Sequence, residues 1–301
     1  MTTPDPSRPL VLVYLAAGVQ GSAVVRAALA RGCRVRALVR DRSRAPHFAF
    51  STQERVEWVA ADLEDADALY AASIGVGHAV LQIPTGPADR MAAQARNAAV
   101  ASVAAGLRFV VLRLAGASRP APCSESSFVG NWAVENALRR AGLSFAGVRP
   151  TMYLDNLLKP SARREIVEEG IFAPPMAACQ RIAWTSVDDC ARAAILLMER
   201  GATGDYRVAG ARSLDGHALA AGVAAGLGRP VAYRAQPSAA LGAGMGQRIA
   251  GKFRYFADHP GEADAMLSRP FASCAALEGF VPTDVEEWVR LHRHAFLGDA
   301  A

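Results

Sequence analysis

The chain predicts an α/β fold, a doubly wound parallel sheet, and three observations carry that prediction. Short β-branched runs recur at 10–14, 34–39, 56–59, 78–83, 108–114 and 143–149. Ala-rich helical stretches at 19–31, 64–73, 87–105 and 126–141 lie between them. The runs are nearly continuously apolar, as strands covered on both faces should be. Strands alternating with helices of this length are joined by right-handed crossovers, which makes the strands parallel.

The first run enters its helix through Leu15-Ala-Ala-Gly18-Val-Gln-Gly21. In a doubly wound sheet such a turn approaches a pyrophosphate, and the helix start supplies free N–H groups and a positive partial charge. Gly18 lets the backbone come close to the phosphates, Gly21 lets the helix pack on the strand, and Gln20 sits between them. Leu15 stands where the first glycine of such a turn is expected, with an isobutyl group near the position of an adenosine ribose. The second run ends at Arg40, about twenty residues past the turn, where an acid would hold a ribose 2′-hydroxyl. An arginine there suits a 2′-phosphate, so NADP(H) is the expected cofactor, and none if Leu15 closes the turn. Asp62 and Leu63 after the third run are placed to meet the adenine, and Ile83 and Pro84 after the fourth to meet a cofactor ribose.

Past Pro150 the rhythm changes. Segment 151–180 is rich in Pro, Met and aromatics, and a helix at 186–199 follows, with Ser186 as cap and Asp189 three residues on. Two short strands around a helix at 213–226, a long helix at 238–257 and a closing helix begun by the capping box Thr283-Asp-Val-Glu286 complete the reading. The expected organisation is a dinucleotide-binding domain over 1–150, with 181–200 returning to it. A smaller interleaved α/β substrate domain is then formed by 151–180 and 201–301.

At 301 residues with 51% hydrophobic and 20% charged side chains, the composition is that of a globular chain. No apolar run reaches the roughly 20 residues of a membrane span. The first nine residues lack the apolar core of a signal peptide, so the expected location is cytoplasmic. Cys33, Cys123, Cys179, Cys190 and Cys274 are scattered, without paired metal spacing, and most read as small core residues, a catalytic thiol being the minor alternative. His292 and His294 point to different helix faces, so no metal site is expected. A net charge of +5 with only two lysines, Lys159 and Lys252, fits an anionic small ligand better than nucleic acid. The mixed basic and aromatic stretch 247–256 reads as a cleft-lining helix. A monomer or homodimer that binds a small-molecule substrate, with no nucleic-acid or membrane partner, is expected.

The set Gly18-Val-Gln-Gly21, Val35-Arg-Ala-Leu-Val-Arg40-Asp, Ala61-Asp-Leu63 and Ala105-Gly106 is joined by Val134-Glu135, Leu138-Arg139 and Arg149-Pro150. Tyr153-Leu-Asp-Asn-Leu-Leu158, Val187-Asp-Asp189 and Thr283-Asp-Val-Glu-Glu-Trp288 extend it over nearly the whole chain. Together these residues resemble the NmrA-like group of atypical short-chain dehydrogenases/reductases. The resemblance implies a Rossmann domain that usually binds NADP(H) and a small C-terminal substrate domain. It also implies one of two activities: reduction of quinones, dyes or phenylpropanoids, or redox sensing without turnover. Short-chain dehydrogenases generally use a Tyr and a Lys four residues later; by register these positions hold Ser127 and Asn131. The usual serine region falls on Arg113-Leu114. Asn131 can hydrogen-bond but supplies no charge to lower a phenol's pKa.

Arg113, near the end of a central strand, reads first as half of an ion pair with Glu135 or Asp155, and otherwise as a group for an anionic substrate or a carbonyl. Asn131, Arg113 and Tyr153 are the candidate catalytic residues, and Phe128, Trp132, Met152 and Trp184 the candidate walls of an aromatic pocket. The leading expectation is an NADPH-dependent reductase of an aromatic, quinone-like or conjugated small molecule, working without Tyr and Lys. A non-catalytic NADP(H)-sensing regulator and a non-redox isomerase, cyclase or lyase on an emptied scaffold are the alternatives.

Overall fold

The computed structural model describes residues 8–45, 54–174, 176–177, 179–235 and 247–298. A seven-stranded sheet holds β1 (Leu10–Val13), β2 (Arg34–Val39), β3 (Val56–Ala60), β4 (His78–Leu81), β5 (Phe109–Arg113), β6 (Phe145–Pro150) and β8 (Gly204–Val208). Their order is β3-β2-β1-β4-β5-β6-β8, and the five registers from β3 to β6 are all parallel. Strand order therefore reverses between β1 and β4, the point at which doubly wound sheets open a ligand crevice. The predicted fold class is the observed one.

Helices α1 (Val19–Ala30), α2 (Ala66–Ser73), α3 (Ala88–Ala104) and α4 (Ser126–Arg140) cover the sheet. Leu12, Leu38, Leu81, Val110 and Leu112 of the strands share one apolar cluster with Leu69, Met91, Ala95, Val134 and Leu138 of the helices. Small Ala side chains on α3 let it lie close to the sheet, and Gly130 of α4 meets Met91 where a Cβ would clash with its sulfur. α2 starts later than the sequence suggests because Asp65 accepts from the Ala68 N–H at 2.9 Å and so fixes the first turn.

The chain forms two compact units. The first comprises residues up to 149 with 190–206 and 274–278, and the second 150–189, 207–273 and 279–301. The first unit holds most of the sheet. Its segment 274–278 is clasped by Arg200, whose guanidinium donates to the carbonyls of Ala275, Ala276 and Glu278.

In the second unit the predicted Ser186 cap is present: its Oγ accepts from the Asp189 N–H at 2.9 Å, starting α6 (Val187–Arg200). The Asp189 carboxylate does not close a capping box. It accepts from the N–H and hydroxyl of Thr283 at 3.0 and 2.8 Å. Thr283 is thereby removed as a cap, and Asp284 starts α10 (Val285–Leu291) by accepting from the Glu286 N–H. The predicted single closing helix is interrupted at His292, whose ring stacks on Trp288, and resumes as α11 (Arg293–Leu297).

α5 (Pro160–Arg164) leads to β7 (Ile171–Phe172), which pairs in parallel with β9 (Ala232–Tyr233) as a separate two-stranded sheet. α7 (Gly216–Leu227) lies between β8 and β9, capped by Asp215. α8 (Gln247–Asp258) covers the described part of the long predicted helix, whose portion from 238 to 246 lies outside the described residues; α9 (Pro260–Leu267) follows. The cysteine reading needs correction. Cys33 and Cys190 are buried, but Cys123 is half-buried and Cys179 and Cys274 are exposed, so only two serve the core.

Candidate functional site

The turn after β1 is laced to its neighbours before any ligand is considered. Tyr14 N–H donates to the Val80 carbonyl at 3.1 Å, Ala16 N–H to Leu38 at 3.0 Å, and Gly18 N–H to Leu15 at 2.9 Å. Leu15 adopts φ +52°, the left-handed backbone that a glycine would supply freely. That conformation costs a non-glycine residue about 1 kcal/mol. Its half-buried side chain offsets part of the cost by packing against the main apolar cluster. The bulky residue has therefore kept the glycine path. Gly21 is required by the same geometry, since a Cβ there would lie 2.1 Å from the Leu15 carbonyl oxygen.

Gly18, the residue before α1, has no side chain with which to cap the helix, and the first turn contains no acidic residue. Tyr14, beneath the turn, is fully buried and its phenol is pushed up to about 12 by burial, so it stays protonated and acts as core.

Around this turn the strand ends converge on Gln20. Its side-chain oxygen accepts from Gln82, just past β4, at 3.0 Å, and its backbone carbonyl accepts from Arg113 Nη1, at the end of β5, at 2.8 Å. Arg113 is only 1% exposed. The expected partners are engaged elsewhere. Glu135 takes the Ser118 hydroxyl at 2.6 Å and Arg149 at 2.5 Å, and Asp155 accepts from the Val187 N–H at 2.9 Å. Arg40 is exposed at the end of β2, while the next residue, Asp41, turns back to accept from the Ser43 N–H and hydroxyl. Asp62 is exposed and folds its carboxylate onto the Glu64 N–H; Leu63 and Ile83 lie in the apolar cluster; Pro84 is exposed.

α4 begins where Glu125 accepts from the N–H and hydroxyl of Ser127, and Asn131 one turn later donates to the Ala117 carbonyl at 2.7 Å. Ser127 and Asn131 are thus engaged at the start of α4 and with the loop between β5 and α4. Glu135, a further turn along, holds the same loop through Ser118. Burial pushes its carboxyl above the usual glutamate range, against the opposing pull of Ser118 and Arg149. Arg149 also reaches Asp205 at 3.0 Å. Phe128 is fully buried and packs as core, whereas Trp132 is 37% exposed.

Sequence reasoning missed an open cavity of about 620 Å³ beside this loop, lined by Ala88, Ala121, Pro122, Cys123, Ser124 and Val129 among others. Its only sequence signal is the Pro120-Ala-Pro122 interruption after β5. The remaining candidates belong to the second unit. Trp184 is buried edge-on against Phe172 at 6.4 Å, Met152 is nearly buried beside Asn156, and Tyr153 is half-buried with its backbone bridged to Thr185.

A glycine-type turn thus stands at the strand-order reversal, with α1 behind it. The model of the NmrA-like family matches residues 7–289. The chain belongs to the NmrA-like family. It is 29% identical over 250 residues to an NAD(P)H azoreductase of Xenophilus azovorans, covering 80% of this chain and 84% of that protein. Its fold is shared with the NADPH-dependent quinone oxidoreductase QOR2 of Escherichia coli, solved with NADPH. That match has a TM-score of 0.72 and 22% identity over 93% of this chain and 98% of the other. The negative transcriptional regulator NmrA, solved with NAD, matches with a TM-score of 0.71 and 19% identity over 94% of each chain. Among the described residues no helix of this NmrA-like chain is long and apolar enough to cross a membrane. No group of three or more His, Cys, Asp or Glu there could hold a metal.

Proposed function

We propose that this NmrA-like chain is an NADPH-dependent reductase of an aromatic, quinone-like or conjugated small molecule, acting without a Tyr–Lys pair. The observation that carries the reading is the β1–α1 turn. Leu15 takes the left-handed backbone, Gly18 and Gly21 keep the close approach, and the first turn of α1 carries no acidic residue. Membership of a family with reductases among the relatives supports it.

In this reading the amides of Val19 and Gln20 hold the diphosphate, and Arg40 pairs with the 2′-phosphate through charge-assisted hydrogen bonds. Asp62 and Leu63 flank the adenine, and Ile83 and Pro84 line the path of the nicotinamide ribose. The bound NADPH supplies a hydride to an electrophilic acceptor. The chain's task is then orientation of the acceptor by apolar and hydrogen-bonding side chains of the second unit, Met152, Tyr153 and Trp184. Water delivers the balancing proton, because Ser127 and Asn131 are engaged with Glu125 and Ala117. The smaller unit serves as substrate domain and the protein works in the cytoplasm as a monomer or homodimer. The engagement of Ser127 and Asn131 equally favours a second reading, a sensor that binds the dinucleotide without turnover.

Calorimetric titration with NADPH, followed by absorbance at the nicotinamide band with quinone and azo acceptors, separates the readings. Binding with acceptor-dependent loss of absorbance is the expected result; binding without it selects the sensor, and no binding removes both. Two variants sharpen the test. Arg40→Ala is expected to weaken NADPH about tenfold and NADH less than about twofold, because only the 2′-phosphate loses its partner. Equal losses would remove that assignment. Leu15→Gly is expected to change the NADPH Kd by less than about threefold, since relief of strain and loss of packing nearly cancel in the free protein. A tightening of tenfold or more would show that the side chain crowds the groove.

A further inference from the structure

We propose that Asn97 is a positioning residue of the adenine site, holding one peptide of the loop after β3 so that the Asp62 carboxylate meets the exocyclic amine of the base. The inference rests on the cofactor reading above and deepens it.

The loop 61–65 joins β3 to α2 on the β3-β2-β1 side of the strand-order reversal. Leu63 is anchored in the main apolar cluster, whereas Asp62 is exposed. Two hydrogen bonds meet on the peptide that joins Leu63 to Glu64. Its carbonyl, that of Leu63, accepts from Asn97 Nδ2 at 3.1 Å. Its N–H, that of Glu64, donates to Asp62 Oδ1 at 3.0 Å. A peptide is planar and carries C=O and N–H on opposite edges, so a side chain that fixes one edge fixes the other. Asn97 therefore sets the direction of the N–H that holds the Asp62 carboxylate.

α3 reinforces this bond from the same face. Arg90, Gln94 and Asn97 stand at i, i+4 and i+7 along the helix. Arg90 and Gln94 both reach Glu64 Oε1, at 2.7 and 3.5 Å. The Arg90 and Glu64 side chains are each more than half exposed, so their ion pair contributes little by itself. The Asn97 bond is partly buried and made to backbone, and it governs the loop's geometry more strongly. Asp65, accepting from the Ala68 N–H, pins the far end of the loop to α2. The Asp62 carboxylate is thus presented in one direction before any ligand arrives, which lowers the ordering cost of binding.

A carboxylate accepts hydrogen bonds and donates none. It suits adenine, whose exocyclic amine donates, and opposes hypoxanthine, which carries an oxo group at that place. Preference for the amine then depends on Asn97, which acts through Asp62 and does not touch the base.

Calorimetry with NADPH and with its analogue bearing hypoxanthine in place of adenine reads this role. Wild type is expected to bind NADPH about tenfold more tightly than the analogue, the worth of one charge-assisted hydrogen bond. Asn97→Leu removes the donor at similar volume. It is expected to weaken NADPH about fivefold and the analogue less than about twofold, so that most of the preference is lost. Asp62→Ala should abolish the preference, and adding Asn97→Leu to it should cost less than about twofold more, because the two residues act in series.

Equal losses for both ligands in the Leu variant, or a preference that stays near tenfold, would overturn the assignment. A lowered unfolding midpoint with the preference kept is what a purely structural role gives, and it overturns the assignment too. Should Asn97→Leu fail to fold, Asn97→Ser, whose hydroxyl stops one bond short of the amide's reach, is read by the same two affinities. Wild-type behaviour separates this inference from the reductase reading. A preference for adenine without acceptor-dependent oxidation of NADPH defeats the reductase reading alone. Oxidation of NADPH with no preference between the bases defeats this inference alone, and binding of neither dinucleotide defeats both.

Discussion

Gly21→Ala is expected to lower NADPH affinity at least about a hundredfold and to destabilise the free protein by about 2–3 kcal/mol. A Cβ at Gly21 would stand 2.1 Å from the Leu15 carbonyl oxygen, 2.6 Å from its carbonyl carbon and 2.9 Å from the Ala16 Cα. All three are backbone atoms, so no side chain can swing away; either the turn moves off β1 or α1 tilts. Both movements displace the amides of Val19 and Gln20, and positional error at a charge-assisted contact is costly. Gly18→Ala is the matched control. Its Cβ would meet the same oxygen at 3.3 Å, which a shift of a few tenths of an ångström relieves, so a much smaller effect on folding is expected. Urea unfolding and NADPH titration on the two variants measure both effects. Wild-type affinity in folded Gly21→Ala protein would show that the dinucleotide does not lie over this turn.

Removing the cation from the Glu135 cluster should be the next largest effect. Glu135 is 2% exposed and is held by Arg149, itself a quarter exposed, at 2.5 Å. Arg149→Met leaves that carboxyl buried with Ser118 and the distant Arg139, and is expected to cost about 2–3 kcal/mol at neutral pH. The pH dependence has a definite sign. Burial already holds the Glu135 pKa above its ordinary value of 4.5. Loss of Arg149 removes a group that pulls it down, so the folded-state pKa rises further. A carboxyl raised on folding binds its proton more tightly in the native state. The stability that this proton contributes is complete below the unfolded pKa and is lost as pH rises through the folded one. The gap between wild type and Arg149→Met in urea unfolding should therefore widen from pH 4.5 to pH 8, and Glu135→Gln in the variant background should narrow it. A gap independent of pH would mean that Arg149 acts by packing alone.

Much of the site was readable because it depends on local rules. The apolar runs, their spacing and Gly18-Val-Gln-Gly21 place a turn at the carboxyl end of a buried strand, and Arg40 follows at a fixed distance along the chain. Leu15 marks where local rules stop. The missing glycine suggests a blocked turn, yet φ is a property of the backbone that neighbouring hydrogen bonds can impose, and the Gly18–Leu15, Ala16–Leu38 and Tyr14–Val80 bonds impose it at modest cost. The capping boxes were overturned by contacts distant in the chain. Ser186 caps as its sequence predicts, but Asp189 and Thr283, which local rules assign to two separate helix starts, bond to each other instead.

The sequence by itself determined the sheet, its crossovers and the turn after β1, because each is written in residues close together along the chain. Only the tertiary structure decided the partners of the buried charges: Arg113 beneath Gln20 rather than beside Glu135, Glu135 with Arg149 and Ser118, Asn131 on the Ala117 carbonyl. Those choices are made between residues up to 93 positions apart. A buried charge settles where geometry and desolvation together cost least, and that balance exists only once the elements have packed.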